Sequence, residues 1–341
     1  MALTFDTELL DDSTESIEKA AELIKKGELI GMPTETVYGL AANAFSPQAV
    51  LKIFKAKNRP ADNPLIVHIS DMSMISDIAA EIPQLAVSCA KKFWPGPLTM
   101  ILPKTSKIPE ITSGGLPTVG VRMPSHPTAL ALINAAGVPL AAPSANLSGS
   151  PSPTTAEDVM SDMKGRIPAV INGGECEAGV ESTVICFTDD AIKILRPGRI
   201  TKEMLEEVSP EVLIDKGVMA KVENSEPAAS PGMKYKHYSP KAEVFMIDGT
   251  AEQFRHYIRE QDTRDALCIV FDSSDMKGLQ IPFITIGSTS EEQAHGLFSA
   301  LRSADKHGAK VVYARCPSID GVGLAVYNRL IRAAAFRVIT L

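Results

Sequence analysis

Short apolar runs alternate with helix-like stretches from about residue 13 to residue 208, and this alternation constrains the fold more than any other property of the chain. Ile17, Ala20, Ala21 and Ile24 recur at helical spacing, and Gly27 can close that helix. Ser46 and Pro47 read as an N-cap followed by proline at the first helical position. The helix they start turns Val50, Ile53 and Phe54 inward and stops before Pro60. Between and after these helices, residues 28–32, 65–69, 98–102, 119–122, 140–142, 169–171 and 183–187 are apolar runs of strand length. Runs this apolar suit strands that are covered on both faces. They predict one largely buried sheet layered with helices.

The pattern breaks once. Residues 221–242 hold four prolines or glycines, two tyrosines and few aliphatics, which reads as a linker. Alternation then restarts: strands at 243–247, 266–271, 283–286 and 311–314, helices at 251–260, 290–307 and 324–335. This predicts a second, smaller, doubly wound α/β domain. The resulting division is residues 1–215, a linker at 216–241, and residues 242–341.

Charge and cysteine content narrow the function classes. The net charge of -7 and pI near 5.5 argue against tight non-specific binding to nucleic acid, which favours basic surfaces. Five cysteines, none in a C-x-x-C pair, argue against a disulfide framework or a structural zinc site. The N-terminal MALTFDTELLDD has no apolar h-region, and no run is long enough to span a membrane. A reduced, soluble, cytoplasmic protein is expected.

Neither a G-x-x-x-x-G-K-[ST] loop nor a strand-linked G-x-G-x-x-G occurs, and H-E-x-x-H is also missing. Polar loops at the strand ends stand out instead: PTETVYGL (33–40), KAKNRPADNPL (55–65), TVGVRMP (118–124), APSANLSGSPSPT (142–154), ESTV (181–184) and LRPG (195–198). Lys52, Lys55, Lys57 and Arg59 put four cations into eight positions with no acid between them. At a helix C-terminus this is ordinarily a solvated face. Where it runs into a sheet edge, it equally suits a phosphate clamp. The Ser-rich loop reads either as a flexible turn or as a phosphate-cradling nest. Arg122, alone at the end of an apolar strand, calls for an internal carboxylate or a ligand's. His68 reads as a core imidazole bonded to backbone or as a ligand, and Trp94 as a core aromatic beside a turn.

These six motifs, in this order, resemble the YrdC-like family of threonylcarbamoyl-AMP synthases, and SPGMKYKHYSP (230–240) is similar to the linker of that family's long, two-domain form. The resemblance spans nearly the whole chain. It implies a YrdC-like twisted mixed-sheet N-terminal domain and a Rossmann-like α/β C-terminal domain. It also implies a nucleotidyltransferase that forms threonylcarbamoyladenylate from L-threonine, bicarbonate and ATP. The implied threonine contacts are Thr36, His68, Arg122, Ala142 through its backbone, and Ser182. The implied ATP contacts are Arg59, Asn63, Thr118, Ser144, Ser152, Arg196 and Tyr238, with Lys57 adding charge beside the phosphates and Lys57 and Arg59 as the catalytic pair. Mg²⁺ would arrive with ATP rather than on a protein site. The partner would be a tRNA threonylcarbamoyl transferase, with little or no direct tRNA binding. The linker, with His237 and Tyr238, would act as a lid. Two other classes stay open: a maturation protein that adenylates carbamoyl phosphate, and a non-catalytic RNA-binding module. The missing C-x-x-C pairs count against the first, and the acidic charge counts against the second.

Overall fold

A computed structural model describes residues 5–61, 63–188, 190–220 and 238–341. The chain divides into two compact units. The first comprises Met1–Ser148, Ser152–Glu177 and Glu181–Lys234, and the second Gly149–Pro151, Ala178–Val180 and Tyr235–Leu341. Most of the expected linker, His237 included, lies outside the described residues.

Unit one is built on strands β1 (Glu8–Leu10), β2 (Ile30–Met32), β3 (Gly39–Asn43), β4 (Ile66–His68), β5 (Leu98–Pro103), β6 (Thr118–Arg122), β7 (Leu140–Ala141), β8 (Ala169–Ile171), β9 (Thr183–Phe187), β10 (Ile192–Arg196) and β11 (Val212–Ile214). Its helices are α1 (Thr14–Lys25), α2 (Pro47–Lys57), α3 (Gln84–Phe93), α4 (Glu110–Ser113), α5 (Pro127–Ala136), α6 (Ala156–Met163) and α7 (Lys202–Glu206). Among the described residues the strands form one mixed sheet in the order β1-β8-β2-β3-β7-β4-β6-β5-β9-β10-β11. The central β4 and β6 run parallel, with β7 and β5 antiparallel on either side of them.

Side chains alternate across a strand, so this register sorts the sheet into two chemically different faces. One face carries Val67, Val119, Val121, Met100, Leu98, Ile185 and Ile194 into a core shared with α2, α3 and α6. The opposite face is apolar only toward β2, β3, β7 and β8, where α1 and α5 cover Ile30, Met32, Ala41, Leu140 and Ile171. Over β4, β6, β5 and β9 that face is mixed: His68, Thr99, Thr118 and Arg122 share it with Ile66, Ile101 and Val184.

Helix α2 starts as its sequence requires, with the Ser46 side chain accepting from the Ala49 N–H and Pro47 in the first turn. It stops at Asn58, whose φ of 53° is left-handed and tolerable for asparagine. Trp94 is a core aromatic, with its indole N–H donating to the Leu98 carbonyl at 2.7 Å. Four strands of this unit, β1, β3, β10 and β11, are not among the apolar runs that the sequence marks. Gly39–Asn43, for one, is Gly-Leu-Ala-Ala-Asn, which has no β-branched or aromatic residue and is held extended by its neighbours β2 and β7.

Unit two holds β12 (Glu243–Asp248), α8 (Ala251–Arg259), β13 (Ala266–Val270), β14 (Phe283–Thr285), α9 (Ser290–Lys306), β15 (Val311–Arg315), α10 (Gly323–Ala333) and β16 (Val338–Thr340). Its sheet has the order β14-β13-β15-β12-β16, and every neighbouring pair is parallel. Reciprocal capping boxes start α8 (Thr250 with Gln253) and α9 (Thr289 with Glu292). No described helix is long and apolar enough to cross a membrane.

Candidate functional site

The sheet face opposite Val67 and Val121 carries three of the candidate residues, His68, Thr118 and Arg122. In the parallel β4–β6 pair, Ile66 lies beside Gly120 and His68 beside Arg122. Thr118, Gly120 and Arg122 therefore share that face with His68. Ile101 of β5 lies opposite Gly120, which puts Thr99 on the same face. Gly120 keeps the floor low, because a Cβ there would stand 3.1 Å from the Thr99 methyl.

At the C-terminal ends of β4 and β6 the charges are dense. Arg122 is 4% exposed, and its Nη1 donates to Thr36 Oγ1 at 2.8 Å. Its Nη2 lies 2.7 Å from Glu35 Oε2. The internal carboxylate that a strand-end arginine calls for is thus Glu35, a residue to which the sequence reading gave no role. Thr34 folds this loop on itself: its hydroxyl accepts from the N–H groups of Thr36 and Val37 and donates to the Val37 carbonyl at 2.6 Å.

His68 is 3% exposed, and its Nδ1 has no hydrogen-bond partner among the described residues. Burial first, and the neighbouring Arg122 charge second, hold its pKa down to about 3. The imidazole is neutral at physiological pH and can meet a substrate without adding charge. The linkage has a definite sign. Between the ordinary histidine pKa of 6.5 and about 3, the unfolded chain binds a proton here that the folded chain does not. This contribution is complete above pH 6.5 and is lost as pH falls toward 3. His68→Gln is expected to flatten the acid limb of stability against pH by up to about 1.4 kcal/mol per pH unit. Denaturant unfolding from pH 4.5 to 7 checks it, and an unchanged slope would contradict the buried neutral imidazole.

Ser182 sits just before β9, where its hydroxyl bonds Thr99 Oγ1 at 2.8 Å. Arg196, at the end of β10, donates from Nε to the Ser182 carbonyl at 3.1 Å and from Nη2 to the Ser182 hydroxyl at 3.2 Å. The LRPG turn presses on this loop so closely that a Cβ at Gly198 would come within 2.4 Å of the Thr183 nitrogen. Ser152 donates to Glu181 Oε1 at 2.6 Å, both buried. The Ala142 N–H donates to the Ile66 carbonyl at 3.0 Å.

A second cluster forms at the N-terminal ends of the same two strands. Arg59 Nη2 donates to the carbonyls of Asn63 and Pro64 at 3.4 Å. Asn63 is 1% exposed, with neither amide atom hydrogen-bonded among the described residues. Thr118 opens β6, four residues and so roughly 13 Å before Arg122. The structure therefore does not bring Thr118 beside the Arg122 group; it places the two at opposite ends of one strand face. Lys57 is 2% exposed, and its ammonium is held by the Ser144 and Asn146 carbonyls, the latter at 2.6 Å. Ser144 in turn donates to the Asn146 side chain at 2.5 Å. Lys57 thus pins the serine-rich loop. Asn146, in the loop that follows β7, completes that contact, a partner 89 residues from Lys57 that no local sequence signal marks.

Tyr238 belongs to unit two. It is 5% exposed, takes a φ of 65°, and lies 5.2 Å from the Phe298 ring and 5.9 Å from the Arg329 guanidinium.

A family model described as telomere recombination, covering the Sua5, YciO and YrdC proteins, matches residues 22–198. A second, described as the C-terminal domain of threonylcarbamoyl-AMP synthase, matches residues 200–335. The chain is 46% identical over 329 residues to the threonylcarbamoyl-AMP synthase of Pyrococcus abyssi, covering 95% of each chain. It is 44% identical to that of Bacillus subtilis, covering 98% of this chain and 97% of the other. In structure it is similar to P. abyssi Sua5 complexed with L-threonine, with a TM-score of 0.91 and 42% identity over 98% of this chain and 100% of the other.

Proposed function

The chain belongs to the Sua5/YrdC family of threonylcarbamoyl-AMP synthases, and from that premise we propose that it joins L-threonine, bicarbonate and MgATP into threonylcarbamoyladenylate with release of pyrophosphate. The observation that carries this reading is the pair of polar groups found before and after the same two parallel strands, β4 and β6. Arg122, Thr36 and His68 stand at the C-terminal ends of β4 and β6, and Arg59, Asn63 and Thr118 at the N-terminal ends. Such an arrangement suits one extended product, with an amino acid at one end and a nucleotide at the other.

The threonine ammonium gives up a proton, and the free amine forms a carbamate with carbon dioxide, losing a second proton, or with bicarbonate, losing water. A carbamate oxygen then attacks the α-phosphorus of ATP, and pyrophosphate leaves. No covalent protein nucleophile is required, so catalysis rests on positioning and on stabilising charge at the phosphoryl group. Arg122 takes the threonine carboxylate. Thr36, Ser182 and the Ala142 backbone orient the amino acid, and neutral His68 meets it without adding charge. Lys57 fixes the loop that presents Ser144, and its charge, with those of Arg59 and Arg196, offsets the phosphates. Asn63, Thr118 and Ser152 complete the nucleotide contacts. Mg²⁺ enters as part of the substrate MgATP. The adenylate passes to a tRNA threonylcarbamoyl transferase in the cytoplasm. A net charge of -7 suits handing on a small molecule better than holding tRNA.

The test is pyrophosphate release from ATP. Dependence on both threonine and bicarbonate supports the synthase. Release driven by carbamoyl phosphate would select a carbamoyl-adenylating protein, and no release with tight RNA binding would select a binding module. The same assay reads the pocket. Serine lacks one methyl group, and its kcat/KM should fall by about 1–3 kcal/mol in activation free energy. Valine lacks the hydroxyl and leaves a buried polar partner unmet, so it should fall further. Equal turnover of valine and threonine would contradict a pocket in which Thr36 helps to read the substrate hydroxyl.

A further inference from the structure

We propose that Glu35 and Arg122 form an internal ion pair that a zwitterionic amino acid splits, its carboxylate taking Arg122 and its ammonium taking Glu35. The inference rests on the synthase reading and assigns the ammonium subsite within it.

The pair is buried, with side-chain exposures of 5% for Arg122 and 10% for Glu35. It is close, at 2.7 Å, yet poorly matched. Arg122 Nε and Nη2 and both Glu35 oxygens make no aligned hydrogen bond among the described residues. An arginine and a carboxylate that are meant to stay together normally meet as a fork, with two parallel N–H···O bonds. Here Arg122 Nη1 is turned to Thr36 Oγ1, and the remaining donors and acceptors of the pair are unsatisfied. A buried pair in this state is close enough to cancel charge but lacks the hydrogen bonds that offset its desolvation.

A zwitterion supplies what is missing. Its carboxylate offers two acceptors to Nε and Nη2, and its ammonium offers three donors to the Glu35 oxygens. One internal pair becomes two alternating pairs, and the net charge of the pocket stays at zero throughout. His68 fits the same count, because burial and Arg122 keep it neutral. The residue order assists the exchange: Glu35 immediately precedes Thr36, and the Thr34 hydroxyl fixes their turn through the Thr36 and Val37 N–H groups.

The arrangement selects α-amino acids as a class. A carboxylate without an ammonium would take Arg122 and leave Glu35 as a stranded buried anion facing the ligand. An amine without a carboxylate would strand Arg122 instead.

The experiment is calorimetric binding to the full chain without ATP, using L-threonine and 2,3-dihydroxybutanoate, in which a hydroxyl replaces the ammonium. The unmodified protein should bind threonine and bind the hydroxy acid at least about tenfold more weakly. Glu35→Gln should lose threonine affinity by about 10- to 100-fold while the hydroxy acid binds as well as before or better, so that the preference narrows or inverts. Glu35→Asp keeps the charge and should keep the preference at reduced affinity. Three results would overturn the proposal: unchanged threonine affinity in Glu35→Gln, an equal loss for both ligands, or loss of preference in the Asp variant as well. Failure of the unmodified protein to bind threonine would remove the synthase reading too, which separates the two failures. Thermal melting of each variant runs alongside.

Discussion

Arg122→Ala is expected to lower kcat/KM for threonine by about 10²- to 10⁴-fold, since removing one member of a buried charge pair costs about 3–5 kcal/mol. The loss should appear mainly in threonine KM. The carboxylate is remote from the phosphorus under attack, and an interaction made equally in ground and transition states affects binding more than turnover. The KM for ATP should change little, because Asn63 and Arg59 lie at the other end of β4 from His68 and Arg122. The substitution also strands Glu35, which is 8% exposed, so stability should fall as well. The double variant Arg122→Ala/Glu35→Ala separates the two effects. Its melting temperature should recover relative to the single variant, and its threonine use should not. Steady-state pyrophosphate release together with thermal melting checks both. A folded Arg122→Ala protein with an ordinary threonine KM would show that the carboxylate is held elsewhere.

The sequence made Arg122 legible because a single arginine closing an apolar strand has few ordinary explanations. It left the partner hidden. Nothing local marks Glu35 as buried; its surroundings come from a strand 86 residues beyond its neighbour Thr36. A search of the motif loops for carboxylates would have found it, since PTETVYGL and ESTV each contain one. Asn146 was hidden for the same reason, its contact with Lys57 spanning 89 residues. Lys57 itself shows the limit of counting charges. Four cations in eight positions suggested a clamp, but one of them is fully buried and holds carbonyls. Strands rich in β-branched and aliphatic residues, such as β4, β6 and β9, could be read directly. β3 and β1 could not, because their extended backbone is imposed by pairing rather than by their own residues. The face that His68, Thr99, Thr118 and Arg122 share is a property of register, which emerges only when β4, β5 and β6 are set side by side.

Register also moves the place where the chain should be cut. The alternation ends near Val208, but β11 at Val212–Ile214 pairs with β10, and the Asp215 N–H bonds the Ile194 carbonyl. Truncation after Val208 would strip an edge strand from the sheet, so the informative cut falls after Val218, and that protein is expected to fold. The core on each face of the sheet draws only on residues before Val218, which gives the unit its own stability. It is also expected to be nearly inactive. Two short segments, Gly149–Pro151 and Ala178–Val180, belong to unit two although they lie far earlier in the chain. Within that unit Arg302 donates to the Pro151 carbonyl at 2.6 Å, and the Ser239 N–H donates to the Gly149 carbonyl at 2.9 Å. Truncation removes both donors. Gly149–Pro151 runs directly into Ser152, and Ala178–Val180 into Glu181 and Ser182, so loosening the segments loosens the Ser152–Glu181 bond and the Ser182 loop. Misplacing positioning groups by about 1 Å costs on the order of 10²-fold in rate. Threonine-dependent pyrophosphate release by the truncated protein should therefore fall by about that factor while its melting transition stays cooperative. Full activity in a well-folded truncation would mean that unit one holds these loops by itself and that unit two serves another purpose.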